Sequence, residues 1–329
     1  MMNKKLNDYK LNGKEGKAES SMETERIIKA FSQQGKKEAE IAKYILSQNP
    51  MQYETEYDCD LIHWTDEQLM DLFIRKMRFY KMFSLGNVMS RYHAFYRYCE
   101  QQGLIEKNPF QKSMYLSYDY LTRMAVEAGN VPFYSREYVI QTCMEADNPA
   151  YILSVALSVY EGVKCYKDLA LIKYADVDFK NRRIAGYSFE FSERLMEAYK
   201  SMHTMEWYQT YRNRQYFDDS EGYLIRRIIA NGKSFAKSHS VRNIISNKMQ
   251  RVGLEQTVLY DSGLMKRLCT VLGTEQLLAC FFNEEKEEKA ANKHKLEEAF
   301  GKLGIEMSVK NFLYDYRVYA LGYKYGIFS

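Results

Sequence analysis

The sequence predicts a mainly α-helical protein with a small antiparallel β-sheet, divided into two domains. Three observations carry that expectation. Apolar residues recur at helical spacing along most of the 329 residues, and only 4 prolines interrupt them. A hydrophobic content of 46%, with 29 tyrosines and 17 phenylalanines, supplies core material for two domains of ordinary size. Period-two alternation is brief, and it is clearest where Val177 and Phe179 alternate with Asp178 and Lys180. Asn181 then offers a turn, and Arg182, Arg183 and Ile184 begin a returning strand.

Composition narrows the function classes. With 47 Lys and Arg against 43 Asp and Glu the net charge is only +4, so any nucleic-acid surface has to come from local clustering. Six cysteines (Cys59, Cys99, Cys143, Cys165, Cys269, Cys280) stand far apart without a C-x-x-C pair, and they read as reduced thiols rather than disulfides or a zinc site. No metal site, no Gly-rich phosphate loop and no Ser-His-Asp arrangement is predicted, and no cofactor is expected. The basic N-terminus has no apolar run behind it, and no window has the length of a spanning helix, so the expectation is a cytoplasmic protein without a membrane partner.

Taken in order, residues 1–21 are polar and read as a flexible arm. Residues 22–46 carry Ile27, Ile28, Phe31, Ile41, Tyr44 and Ile45 at the spacing of one or two amphipathic helices. Between Asn49 and Asp71 the chain is acidic, with no Lys or Arg, and Thr65 with Gln68 forms a capping box for the next helix. Residues 72–99 reverse the charge: they contain no acid and carry Arg75, Lys76, Arg78, Lys81, Arg91 and Arg97. Leu72, Ile74, Met77 and Phe83 face inward on the first helix there, and Val88, Tyr92, Phe95 and Cys99 on the second, which leaves two basic outer faces suited to a phosphate backbone. Pro109 stops further helix, residues 117–128 form another, and Gly129, Asn130 and Pro132 mark the linker, so the first domain is 22–130 and the second 131–329.

In the second domain Ser135 starts a helix, and a long apolar helix bearing Ile152, Val155, Ala156 and Val159 breaks at Gly162. A short helix with Asp168, Leu169, Leu171 and Ile172 delivers Asp176 to the hairpin. Residues 187–202 read as a strand entering a helix. Residues 205–251 hold nine Lys or Arg against four acids, with a helix over 240–252 whose buried face is Val241, Ile244, Ile245 and Met249. The mixed charges of 283–300 read as a solvated helix. The final stretch reads as one helix with an apolar stripe of Val309, Phe312, Leu313, Tyr316 and Tyr319.

Two of these stretches resemble the tyrosine recombinase (phage integrase) family. One is the junction Gly103, Leu104, Ile105, Asn108, Pro109 after an aromatic helix. The other is the order apolar helix, Gly162-Val163, short helix, Asp176, hairpin, which is similar to the family's first catalytic motif. The resemblance implies a helical core-binding domain followed by an integrase-like catalytic-type domain, and a double-stranded DNA partner. Family chemistry is attack of a tyrosine hydroxyl on a phosphodiester, with two forked arginines stabilising the phosphorane. Here the first arginine position falls on Lys164 or on Cys165, depending on the anchor of the register. For the second motif, His239 and Arg242 form a literal H-x-x-R, but only 75 residues separate Lys164 from His239. The alternative register places the counterpart at 259–273, where the arginine position falls on Met265 or Lys266. No tyrosine stands between Asp261 and Leu313, where the family puts its nucleophile.

The resulting expectation is a sequence-specific transcriptional regulator on a recombinase fold, without strand cleavage and with no catalytic residues assigned. The resemblance extends to the lysogeny repressors of SPβ-type temperate phages, which implies a prophage repressor in a bacterial host, nucleoid-associated and relieved by a protein or peptide regulator. The residues expected to meet DNA are Arg75, Lys76, Arg78, Lys81, Arg91, Arg97, Lys164, Lys233, Lys237, Arg242 and Lys248. The rival reading is an active recombinase that uses Lys164, Arg242 and a terminal tyrosine. A third is an interaction module without DNA binding.

Overall fold

The structure, a computed structural model, describes residues 16–77, 83–111, 113–209, 213–218, 220–229, 238–283 and 285–328. It is mainly helical with two small antiparallel sheets, and it divides into two compact units at Val131 and Pro132.

Unit 1 comprises α1 (Gly16–Ser32), α2 (Lys36–Ser47), α3 (Pro50–Tyr57), a single 3-10 turn at Leu61–His63, α4 (Asp66–Met77), α5 (Phe83–Gln101) and α6 (Tyr118–Glu127). The first helix begins inside the stretch expected to be an arm. Ala18 and Glu19 are good helix formers, and they carry the helix upstream of the buried Thr24, Ile27, Ile28 and Phe31. The Thr65–Gln68 capping box is present: Gln68 Oε1 accepts from the Thr65 N–H at 2.9 Å, and Thr65 Oγ1 from the Gln68 N–H at 3.3 Å. The core joins Ile28, Phe31, Ile45, Leu61, Leu69, Phe73 and Leu121 to Val88, Tyr92, Phe95 and Cys99, the inner face anticipated for α5.

Unit 2 is organised around α8 (Pro149–Tyr160), in which every residue from Tyr151 to Tyr160 is buried. A helix that is apolar all round has to be enclosed. It is enclosed by α7 (Arg136–Met144), α9 (Tyr166–Leu169), α10 (Glu193–His203), α11 (Ser238–Arg251) and α12 (Gln256–Leu272). Two serines on α8 satisfy themselves locally: Ser154 donates to the Ala150 carbonyl at 2.7 Å, and Ser158 donates to the Ser154 carbonyl and lies 2.6 Å from the Tyr199 hydroxyl. The hairpin pairs β1 (Val177–Asp178) with β2 (Arg183–Ile184), and the Asp178 carboxylate accepts from the Lys180 and Asn181 N–H groups to form its turn. A second sheet has the order β3 (Trp207–Gln209), β4 (Arg214–Asp218), β5 (Arg227–Ile228).

Two expectations need correction. Residues 187–191 form no strand, because Tyr187, Phe189 and Phe191 pack on one another and the segment bends instead of laddering. The terminal stretch is two helices, α15 (Val309–Asp315) and α16 (Arg317–Lys324), broken at Tyr316, whose hydroxyl donates to Asp261 Oδ1 at 2.5 Å. Before them lie α13 (Thr274–Phe282) and α14 (Lys286–Leu303), the latter seating Leu296, Ala299 and Phe300 on the core. No helix among the described residues is long and apolar enough to cross a membrane.

Candidate nucleic-acid interface

The turn after α8 is where the core reaches the surface. Glu161 is buried and accepts from the Ser192 N–H at 2.7 Å, the Ser192 hydroxyl at 2.5 Å and Arg136 at 3.2 Å, so one carboxylate ties α8 to the start of α10 and to α7. Gly162 follows at φ 123°, a conformation that side chains disfavour. The Val163 N–H returns to the Ser158 carbonyl at 2.9 Å, Val163 is fully buried, and Lys164 emerges exposed. The Lys164 carbonyl accepts from Gln256 Nε2 at 3.4 Å, which places this turn beside the start of α12.

Helix α11 packs on α8 and α9 through its buried Ile245 and Met249. Lys248 lies half-buried on it with Nζ 3.6 Å from the centroid of the Tyr208 ring. Burial, and then the neighbouring Arg251, push its ammonium down from 10.5 to about 8. Arg251 is exposed. Among the described residues Lys164, Lys248 and Arg251 form no ion pair.

The basic helices of unit 1 divide differently. Arg75 is neutralised: it reaches Glu56 at 2.7 Å and Asp71 at 2.6 Å. Arg91 lies 4.0 Å over the Tyr44 ring, and Arg97 is exposed. Arg78, Lys81, Lys233 and Lys237 lie outside the described residues, and Lys76 and Arg242 are described by their backbones alone, on α4 and α11. His239 stands likewise on the first turn of α11.

Sequence reasoning overlooked Arg267 on α12. Its guanidinium faces Gly162, and Nε and Nη2 are sealed from solvent without a hydrogen bond. The alternative register put an arginine position at Met265 or Lys266; Met265 is buried and Lys266 exposed. Nothing in the linear spacing marks the residue one further on.

The terminal tyrosines are mostly committed to packing. Tyr316 is held by Asp261, and burial raises the phenols of Tyr316, Tyr319 and Tyr323 far above their ordinary range. Tyr314 and Tyr325 are exposed. All six cysteines are free, and burial pushes Cys99 and Cys143 up to about 12. Among the described residues no group of His, Cys, Asp and Glu is arranged to hold a metal ion. No protein-family model matches the chain, and no curated protein matches it either.

Proposed function

We propose that the chain is a sequence-specific DNA-binding transcriptional regulator, built on an integrase-like architecture without strand cleavage and serving as a prophage repressor. The observation that carries this reading is the group of cations in unit 2 left without acids: Lys164 on the Gly162 turn, with Lys248 and Arg251 on α11. Two like charges set side by side on a partly desolvated helix face cost free energy in the isolated protein, and a polyanion relieves that cost. Exposed Arg97 adds a contact of the same kind in unit 1. The absence of cleavage is supported by the packing of the terminal tyrosines: the Tyr316 hydroxyl is taken by Asp261, and Tyr316 and Tyr319 are buried.

Genome-wide mapping of bound DNA, followed by anisotropy titrations on the recovered site at several salt concentrations, tests the proposal. Specific occupancy near promoters is expected, with log affinity falling by about 0.9 per phosphate contact for each tenfold rise in salt. Flat salt dependence or random occupancy overturns it. The rival, a working recombinase, is kept by exposed Tyr314 and Tyr325. Its signature is a covalent protein–DNA adduct that a phenylalanine at one of those positions abolishes.

A further inference from the structure

The charge of unit 1 changes sign within α4. The stretch from Asn49 to Asp71 holds acids and no Lys or Arg, and residues 72–99 hold basic residues and no acid. At that boundary the two meet. Arg75, one turn inside the basic run, sets Nη1 on both oxygens of Glu56, at 2.8 Å and 2.7 Å, and Nη2 on Asp71 Oδ2 at 2.6 Å. Glu56 comes from α3 and Asp71 from the preceding turn of α4, so the guanidinium is held from two helices. Asp71 is itself positioned, because its Oδ2 accepts from the Tyr57 hydroxyl at 2.5 Å. The rings of Tyr53 and Tyr57 each stand 6.0 Å from the guanidinium carbon.

Arg75, Glu56 and Asp71 keep 41%, 47% and 39% of their side-chain surface exposed, so the network lies within reach of a polyanion. An isolated surface pair contributes little, whereas a guanidinium fork fixed on two carboxylates contributes more. Those carboxylate oxygens take the same donors that a phosphate takes. We propose that Glu56 and Asp71, the latter set by Tyr57, form an autoinhibitory contact: they stand in for phosphate, hold Arg75 out of the DNA-binding set and lower the affinity of unit 1 for a polyanion. The inference rests on the DNA-binding reading. Withdrawing the two carboxylates frees one fork for one phosphate.

The experiment compares the full chain as wild type, as Glu56→Gln with Asp71→Asn, as Arg75→Ala, and with all three substitutions together, helical circular dichroism confirming that each is folded. Binding to a mixed-sequence duplex is followed by anisotropy across a range of salt. Loss of the two carboxylates is expected to steepen the salt slope by about 0.9 and to tighten binding about fivefold at physiological salt, the effect of one phosphate contact. In the Arg75→Ala background the same loss is expected to leave the slope unchanged and the affinity within about twofold. Equal slopes for wild type and the double variant overturn the proposal. A full gain in the Arg75→Ala background overturns it too, since removal of negative charge alone then explains the effect. If the double variant does not fold, Glu56→Gln alone decides: a gain of about twofold that Arg75→Ala cancels supports the contact, and no gain overturns it. Binding of no duplex by any of the four removes the regulator reading and the autoinhibition together, whereas binding with equal slopes removes the autoinhibition alone.

Discussion

Replacing Gly263 by alanine should separate α12 from α8. A Cβ at this position would lie 1.8 Å from the Tyr160 carbonyl oxygen, 2.6 Å from its carbon and 2.9 Å from its Cα. Ordinary contact needs roughly 3.5 Å, so the helices have to part by about 1.5–2 Å. The obstacle is backbone, and it belongs to a helix enclosed on every side, so no flexible side chain can yield. Overpacking against backbone that cannot yield lies at the upper end of the usual cost, about 3 kcal/mol, against a gain of about 0.8–1.0 kcal/mol from the better helix propensity of alanine. The net expectation is a loss of about 2 kcal/mol, or roughly 4–8 °C in Tm for a unit of this size. Gly301, in the last turn of α14 with nothing within 4 Å of its virtual Cβ, is the control, and its alanine variant should gain up to about 0.5–1 kcal/mol. Urea denaturation followed through Trp207, which lies in unit 2 while Trp64 lies in unit 1, reports both variants. A Gly263→Ala protein within about 0.5 kcal/mol of wild type would refute the reasoning.

Other substitutions probe charge. Burial raises the Glu54 carboxyl against the opposing hydrogen bonds from Thr24 and Leu61, so its stabilising contribution is present below the ordinary 4.5 and is lost as pH rises through the folded value. Glu54→Gln should therefore stabilise unit 1 at pH 7 and much less at pH 4, as urea melts at the two pH values will show. Lys248 has the opposite sense: its ammonium penalises the fold below about 8, and the penalty fades towards 10.5. Lys248→Met should accordingly be more stable than wild type at pH 7, equal to it near pH 10.5, and weaker in DNA binding by anisotropy. Arg75→Ala should leave DNA affinity within about twofold and cost at most about 1 kcal/mol, because Glu56 and Asp71 already hold the exposed guanidinium. Arg97→Ala should lower the salt slope by about 0.9, and equal slopes for the two variants would count against this division of the basic helices.

What the sequence reveals here is what local chemistry decides. Thr65 and Gln68 announce a capping box three residues apart, and Ser117 and Ser135 announce helix starts that their hydroxyls do cap, accepting from the Tyr120 and Tyr138 N–H groups. The unbroken apolar run of α8 announces a central helix. What it conceals depends on partners distant along the chain. Arg75 reads as an outward cation within an acid-free run, yet Glu56, 19 residues upstream, captures it. The apolar stripe from Val309 to Tyr319 reads as one helix, and the tie from Tyr316 to Asp261, 55 residues away, accompanies a break there. Arg267 is hidden for the same reason, since its meaning lies in its approach to Gly162 on another helix.

These contacts assign separate tasks to neighbouring positions on one turn. Glu161 spends its carboxylate on Ser192 and Arg136, so its value is structural: removing it leaves the N–H and hydroxyl of Ser192, the N-cap of α10, without their acceptor and Arg136 without its acid. Gly162 supplies both the left-handed backbone that ends α8 and the space that Arg267 occupies, and any side chain there meets strain and collision together. Val163 anchors the turn in the core, and Lys164, exposed with no ion-pair partner, adds nothing to that core.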